Sequence, residues 1–509
     1  MIGRLVLRHL ALRPVRSAVF VGAYAAGVSV MLALLSIGEV MVEQARDEEW
    51  VGGGDVTVLP QGVDLETLRM GGAIFFGIEQ SRFVAREVIA GPRLASQVEA
   101  VAPWIDDRAI YIRPNASGGE GEAGEAGAAL LTVRASAQIP TAARALEAEP
   151  DLLSGAWEDS EADRRWLRPS PAQLYSEIDR FHLPPAGVRG DSTWAEWHYF
   201  NLLWPEQESW LYLTYMIGGD VGGERRGRGG GGGGQMLARY RSPDGRDLVF
   251  ADTLGPERIT FSETSPELRL GPNSVRLRAD PLLYEVLARI PPIDGDAAAP
   301  LEVDLVITPE PHRLFPPAEL AASDSLLSGY VVAALRARAT GSVCVGERCI
   351  AADGAIAYHD HNWGTWGGVV WDWGIAHAGD LDVLYGGVHG SAAEAARRRG
   401  IPFLVYVVDS LGVAAVLGLD ELVYSGARPV EIGGQRVDVP ETLSWTAARG
   451  PDSLSALIRI ERSSLTKLSV SGEGELYFAQ MYGTLSLAGV IGGRSVNVSG
   501  PGFFETYLR

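Results

Sequence analysis

Residues 354–366 read GAIAYHDHNWGTW, two histidines, an aspartate, an asparagine, a tyrosine and two tryptophans within thirteen positions. As a β-strand, Tyr358 to Trp363 would place His359 and His361 on one face and Asp360 on the other, because successive side chains alternate. The surrounding chain favours the strand. From about residue 190 the helical period fades and short runs take over, such as WLYLTYMI (210–217), LEVDLVIT (301–308), FLVYVVDS (403–410) and LIRIERSSLTKLSVSG (457–472). They are rich in β-branched and aromatic residues and are broken by Gly, Pro, Asn and Asp, the pattern of an all-β sandwich or barrel. About 320 residues of this pattern are too many for one small barrel, so two β domains are expected. We draw them at 190–340 and 341–509, with HDHNWG in the second.

The part before residue 190 reads differently. Ser17 to Gly38 holds no charged residue, a length that spans a bilayer as a helix. Arg4, Arg8, Arg13 and Arg16 precede it, and Glu39, Glu43, Asp47, Glu48 and Glu49 follow. The positive-inside rule then expects a cytoplasmic tail (1–16), a single transmembrane helix (17–38) and an extracytoplasmic, periplasmic bulk. Residues 39–189 form a smaller segment whose stretch 118–127, GGEGEAGEAG, is expected to be a flexible acidic loop. Its clearest helix runs from Ser170 to Phe181, where Ser170, Pro171 and Gln173 form a capping box. The glycine run 229–234 is expected at a hairpin tip. A phosphate-binding loop would continue into Lys-Ser/Thr, whereas Gln235-Met236-Leu237 follows.

The net charge of −20 argues against nucleic acid as a partner. The only cysteines, Cys344 and Cys349, are spaced for a disulfide closing a tight hairpin, or they are two buried thiols. The disulfide would require an oxidising compartment.

Three readings of the histidine-rich stretch stand side by side. His359 and His361 could be half of a metal site, although no second paired motif exists to complete it. They could be hydrogen-bonded core residues among space-filling tryptophans. Alternatively, the stretch could line a cofactor-free acid/base pocket. Trp363, Trp366, Trp371 and Trp373 crowd the region, with Asp372, Asp380 and Asp382 just downstream. An apolar wall keeps a carboxyl protonated, and aromatic faces stabilise a cation. Those are the ingredients for protonating a carbon–carbon double bond.

YHDHNWG (358–364) resembles the signature of the hydroxyneurosporene synthase (carotenoid 1,2-hydratase) and AttH-like family. EWHYF (196–200) is similar to that family's opening strand, and GPGFFE (500–505) to its glycine-rich ending. The resemblance covers about 193–509. It implies two lipocalin-like β-barrel domains around an apolar ligand site, with no cofactor and no metal. It also implies hydratase, isomerase or cyclase chemistry on a lipophilic, carotenoid- or isoprenoid-like molecule. Carried over by position, His361 and Trp363 match directly, the downstream acid falls at Asp382 with Asp380 as rival, and the tyrosine nearest the family's position is Tyr385. His198 stands where the family has a tryptophan. His359 and Asp360 complete the catalytic candidates, and Tyr358, Asn362, Trp366, Trp371, Trp373, Tyr385, Trp197 and His198 are the ligand-binding candidates. Residues 10–40 followed by GGGDVTVLPQG (52–62) resemble the start of FtsX/MacB-type ABC-transporter permeases. That resemblance implies a small α/β anchor and docking module, with transporter subunits as partners. The alternative function is then a non-catalytic lipophile-binding module working with such a transporter.

Overall fold

The computed structural model describes residues 86–87, 91–102, 104–112, 131–146, 158–182, 194–219, 232–293, 299–323, 326–365, 370–389, 404–470 and 474–508. The apolar run 17–38, the tail before it, the loop 118–127 and Trp366 lie outside this set. Among the described residues, no helix is long and apolar enough to cross a membrane. The chain divides into two units, one of residues 1–81 and 100–167, the other of 82–99 and 168–509.

In the first unit, β1 (Trp104–Ile112) pairs antiparallel with β2 (Leu131–Gln138), followed by α1 (Pro140–Arg144) and α2 (Glu161–Leu167).

In the second unit, after residues 82–99, comes α3 (Pro171–Ile178), whose expected capping box is present. Ser170 accepts from the Gln173 amide, and the Gln173 side chain accepts from the Ser170 amide. Leu174 and Ile178 turn the buried face of α3 inward, and the chain then delivers Asp179 and Phe181 into the interior.

Thirteen strands follow as one sheet. They are β3 (Trp194–Trp204), β4 (Ser209–Gly218), β5 (Gly233–Arg241), β6 (Asp247–Leu254), β7 (Ile259–Phe261), β8 (Leu268–Leu270), β9 (Asn273–Ala279), β10 (Leu282–Ile290), β11 (Leu301–Pro309), β12 (Phe315–Ser323), β13 (Leu326–Val345), β14 (Arg348–Ala351) and β15 (Ile356–Thr365). The spatial order is β6-β5-β4-β3-β15-β13-β11-β10-β9-β8-β7, with β12 and β14 also on β13. A bridge between Phe250 of β6 and Pro292, just past β10, shows the sheet curling back on itself. Phe200, Leu213, Tyr215, Tyr284 and Leu305 fill the concave side. β4 and β5 pair from Gly218↔Gly233 onward, so Gly233 and Gly234, the end of the glycine run, open β5, and 220–231 lie outside the described residues. The β13–β14 hairpin is closed by a Cys344–Cys349 disulfide, the bonded alternative of the two expected.

The remaining strands form a closed barrel, β16 (Val370–Ala378), β17 (Leu381–His389), β18 (Leu404–Asp409), β19 (Gly412–Ser425), β22 (Thr442–Arg449), β23 (Asp452–Val470), β24 (Gly474–Ile491) and β25 (Arg494–Leu508). A separate hairpin, β20 (Arg428–Ile432) with β21 (Gln435–Val439), is inserted between β19 and β22.

Two expectations are corrected here. The domain border expected between 340 and 341 falls inside β13, and the strand carrying HDHNWG belongs to the first β body, between β3 and β13. Hydrophobic patterning marks strands well but does not say which neighbour a strand pairs with. β15 follows the β13–β14 hairpin and folds back onto β13, and only after residue 365 does the chain enter the barrel.

Candidate functional site

β15 is buried on both faces because the curled sheet closes over one side and the barrel packs on the other. The alternation predicted for Tyr358–Trp363 therefore sorts the motif into two separate places. Cross-strand pairing with β3 sets the neighbours: His361 opposite His198, Trp363 opposite Glu196, Asp360 opposite Tyr199 and Asn362 opposite Trp197.

On the concave side, His198, His359, His361, Glu196 and Asp179 have no solvent exposure. Asp179 Oδ2 lies 3.0 Å from His359 Nε2 and accepts from the Tyr284 hydroxyl at 2.5 Å. Its Oδ1 lies 3.0 Å from His361 Nδ1 and 3.8 Å from His198 Nδ1. His361 Nε2 sits 2.9 Å from Glu196 Oε1. Glu196 also accepts from the His182 amide and meets its ring at 3.0 Å. Trp363 stacks on His182 with centroids 4.0 Å apart. The indole has room because residue 329, opposite on β13, is glycine; a Cβ there would lie 2.2 Å from Trp363 Cε2.

Burial opposes ionisation of Asp179, but the surrounding imidazoles of His359, His198 and His361 outweigh it and hold the carboxyl well below its usual range. Burial would lower His361, yet its contacts with Asp179 and Glu196 dominate and raise it to about 9. His198 is pushed well below its ordinary value by burial and by the neighbouring His361.

The other face of β15 meets the barrel across an aromatic seam. Tyr358 donates to Asp360 Oδ2 at 2.7 Å and Asn362 Nδ2 to Oδ1 at 2.7 Å. The barrel's Trp373 Nε1 donates to the Tyr358 hydroxyl at 3.1 Å, so one hydrogen-bond chain crosses the seam. Beside it, Glu505 of β25 accepts from Trp371 Nε1 at 3.0 Å and from Gln480 Nε2 at 3.2 Å. Tyr199 and Tyr212 stack at 6.1 Å, and Tyr330 meets Trp373 edge-on at 5.1 Å. Trp197, Asn362, Trp371 and Trp373 keep partial exposure, so the seam opens to solvent beside Asp360.

Burial pushes the Asp360 carboxyl up to about 8, outweighing the Tyr358 and Asn362 hydrogen bonds, and the charge of Glu505 adds to the rise. Glu505 is itself raised by burial, against the hydrogen bonds of Trp371, Gln480 and Tyr199. The hydrogen-bond donors to Asp360 are all neutral. That is the condition under which a buried acid keeps its proton.

The downstream acid expected at Asp382 stands elsewhere, in an ion network. It meets Arg313 at 2.6 Å, Arg336 at 2.8 Å and His377 at 2.7 Å. Burial would raise it, but the His377 hydrogen bond and the charges of Arg336 and Arg313 win and hold it below the ordinary carboxylate value. Its rival Asp380 pairs with Arg313 and Ser410 at the more exposed edge, and its carboxyl is likewise held low. Neither is a proton donor near neutral pH.

The candidate residues are therefore not gathered in one pocket. His359, His361, Trp363 and His198 share the concave core. Tyr358, Asp360, Asn362, Trp197, Trp371 and Trp373 share the seam. Tyr385 points into the barrel core with Trp445 and Phe504. Sequence reading missed Asp179, Glu196, His182 and Glu505. Two of these stood inside quoted motifs, EWHYF and GPGFFE, and Asp179 follows the capped helix directly.

The sequence matches no protein-family model and no curated protein. Similar solved structures include an AttH-type protein from Nitrosomonas europaea, with 12% identity over 65% of this chain and 97% of that one at TM-score 0.41. CghA with Sch210972 has 12% identity over 67% and 95% at TM-score 0.42. Kievitone hydratase from Nectria haematococca has 11% identity over 65% and 97% at TM-score 0.39.

Proposed function

We propose that the protein is a cofactor-free acid/base enzyme acting on a lipophilic unsaturated molecule in the seam between the curled sheet and the barrel. The observation carrying this reading is Asp360, a buried carboxyl raised to about 8 with tyrosine, asparagine and tryptophan around it and no cation among its hydrogen-bond partners. In the reaction, Asp360 gives its proton to one carbon of a double bond, and the positive charge forms on the other. The faces of Trp371, Trp373 and Tyr199 stabilise that cation. Water adds to it and loses a proton to the Asp360 carboxylate, which restores the acid and completes a hydration. Loss of a neighbouring substrate proton instead gives an isomerisation. This assignment moves the acid from Asp382 to Asp360.

The sequence resemblance to the carotenoid hydratase and AttH-like family points to the same reaction class, and an isoprenoid-like substrate belongs to the proposal. So does an extracytoplasmic location, which the Cys344–Cys349 disulfide supports. The test compares lipid extracts of cells producing the wild type, Asp360→Asn and Asp382→Asn. A product lost with Asp360→Asn and kept with a folded Asp382→Asn supports the reading. Extracts of the wild type and Asp360→Asn that do not differ overturn it.

A further inference from the structure

The histidines on the concave face are arranged as ligands. His198 Nε2 donates to the Pro266 carbonyl at 2.9 Å, and His359 Nδ1 donates to the Tyr199 carbonyl at 3.0 Å. A carbonyl only accepts, so each ring has its outer N–H committed and turns its second nitrogen inward. Both inward nitrogens face Asp179, His198 Nδ1 at 3.8 Å from Oδ1 and His359 Nε2 at 3.0 Å from Oδ2. A nitrogen placed so against a carboxylate is held by positive charge between them, a proton or a metal ion. His198 Nδ1 is fully buried and has no hydrogen-bond partner, so it is a ligand atom with nothing to bind among the side chains.

We propose that Asp179, His198 and His359 hold one divalent transition-metal ion of the Zn2+ class. Their three ligand atoms lie within 4.8 Å of one another, which fits a single ion about 2.0–2.2 Å from each. Two imidazoles and a carboxylate form a borderline nitrogen/oxygen set that suits zinc over magnesium or calcium. The surrounding groups are those a metal site uses to orient its ligands: a backbone carbonyl on the far nitrogen of each histidine, and Tyr284 and His361 on the carboxylate. Of the pair considered as ligands from sequence, His359 is retained, and His198 takes the place of His361, which serves to hold Asp179. The ion ties the residue just after α3 to β3 and β15, on the opposite face of β15 from Asp360. It takes no part in the chemistry proposed for the seam, so the two proposals stand or fall separately.

The full chain is purified, stripped with a chelator, and titrated with Zn2+ and with Co2+. We expect about one ion per chain, intense visible d–d bands from four-coordinate Co2+, and a melting temperature that rises on reloading. In His198→Gln and Asp179→Asn the bands disappear and affinity drops by more than the roughly 100-fold that losing an outer partner costs. His377→Gln, in the separate Asp382 network, keeps both. Where a ligand variant does not fold, the wild-type cobalt spectrum decides alone. A folded wild type that retains no stoichiometric metal and gives no d–d bands overturns the site, as does full binding by folded His198→Gln.

Discussion

The two faces of β15 are both buried and chemically opposite. On the concave face, Asp179 sits among imidazoles and is held ionised; on the seam face, Asp360 sits among a phenol, an amide and indoles and keeps its proton. A third buried aspartate, Asp382, sharpens the comparison, because two arginines and a histidine hold it ionised. Burial opposes ionisation in all three. What separates them is whether a positive partner answers it. Depth alone is a poor guide to which carboxyl carries chemistry, and the absence of a cation is a better one.

The strongest way to break this contrast is Asp360→Asn, which keeps the shape and removes the proton. The proposed activity should drop by about 10²–10⁴, read as loss of product in lipid extracts while the circular dichroism is unchanged. Retained product would remove the acid role from the seam.

Arg313→Met attacks the other side of the comparison by leaving Asp382 with Arg336 and His377 alone and taking the arginine from Asp380. Removing one partner of a buried ion pair costs up to about 3–5 kcal/mol, to be measured by urea denaturation. A loss below about 1 kcal/mol would mean that solvent or Arg336 already screens Asp382.

The pH dependence of stability tests the raised acid directly. The Asp360 carboxyl lies at about 8 in the fold, against an ordinary value of 3.8, so the folded chain binds a proton that the unfolded chain releases. Its stabilising contribution is complete below about pH 4 and is lost as pH rises to about 8, with a slope of up to about 1.4 kcal/mol per pH unit. Subtracting the Asp360→Asn curve from that of the wild type should isolate this slope. A flat difference between pH 4 and 8 would show Asp360 ionised like its two counterparts.

The smallest effect is expected away from both faces. Replacing Cys344 and Cys349 with serine opens a six-residue loop that the β13–β14 hairpin already closes. Loop-closure entropy puts the cost at about 2 kcal/mol or less, and the product profile should be unchanged. A changed profile would tie the hairpin to the seam.

Much of this was legible along the chain. Periodicity announced a β protein, and the alternation in YHDHNWG already divided His359 and His361 from Asp360. Ser170, Pro171 and Gln173 announced their helix, and the cysteine spacing offered the bond that forms. These features are local, set by a two-residue period, a helix cap or a tight turn, so a short window of sequence contains them. Partnership is different. Asp179 reaches His359 from 180 positions away and Arg313 reaches Asp382 from 69. Trp371 bonds Glu505 across 134 residues. Whether a carboxyl is ionised, and whether two histidines face each other or a void, depends on those distant neighbours and on the dielectric they enclose. Composition and spacing determined the strands and their faces; only the closing of the sheet and its packing on the barrel decided which acid holds a proton.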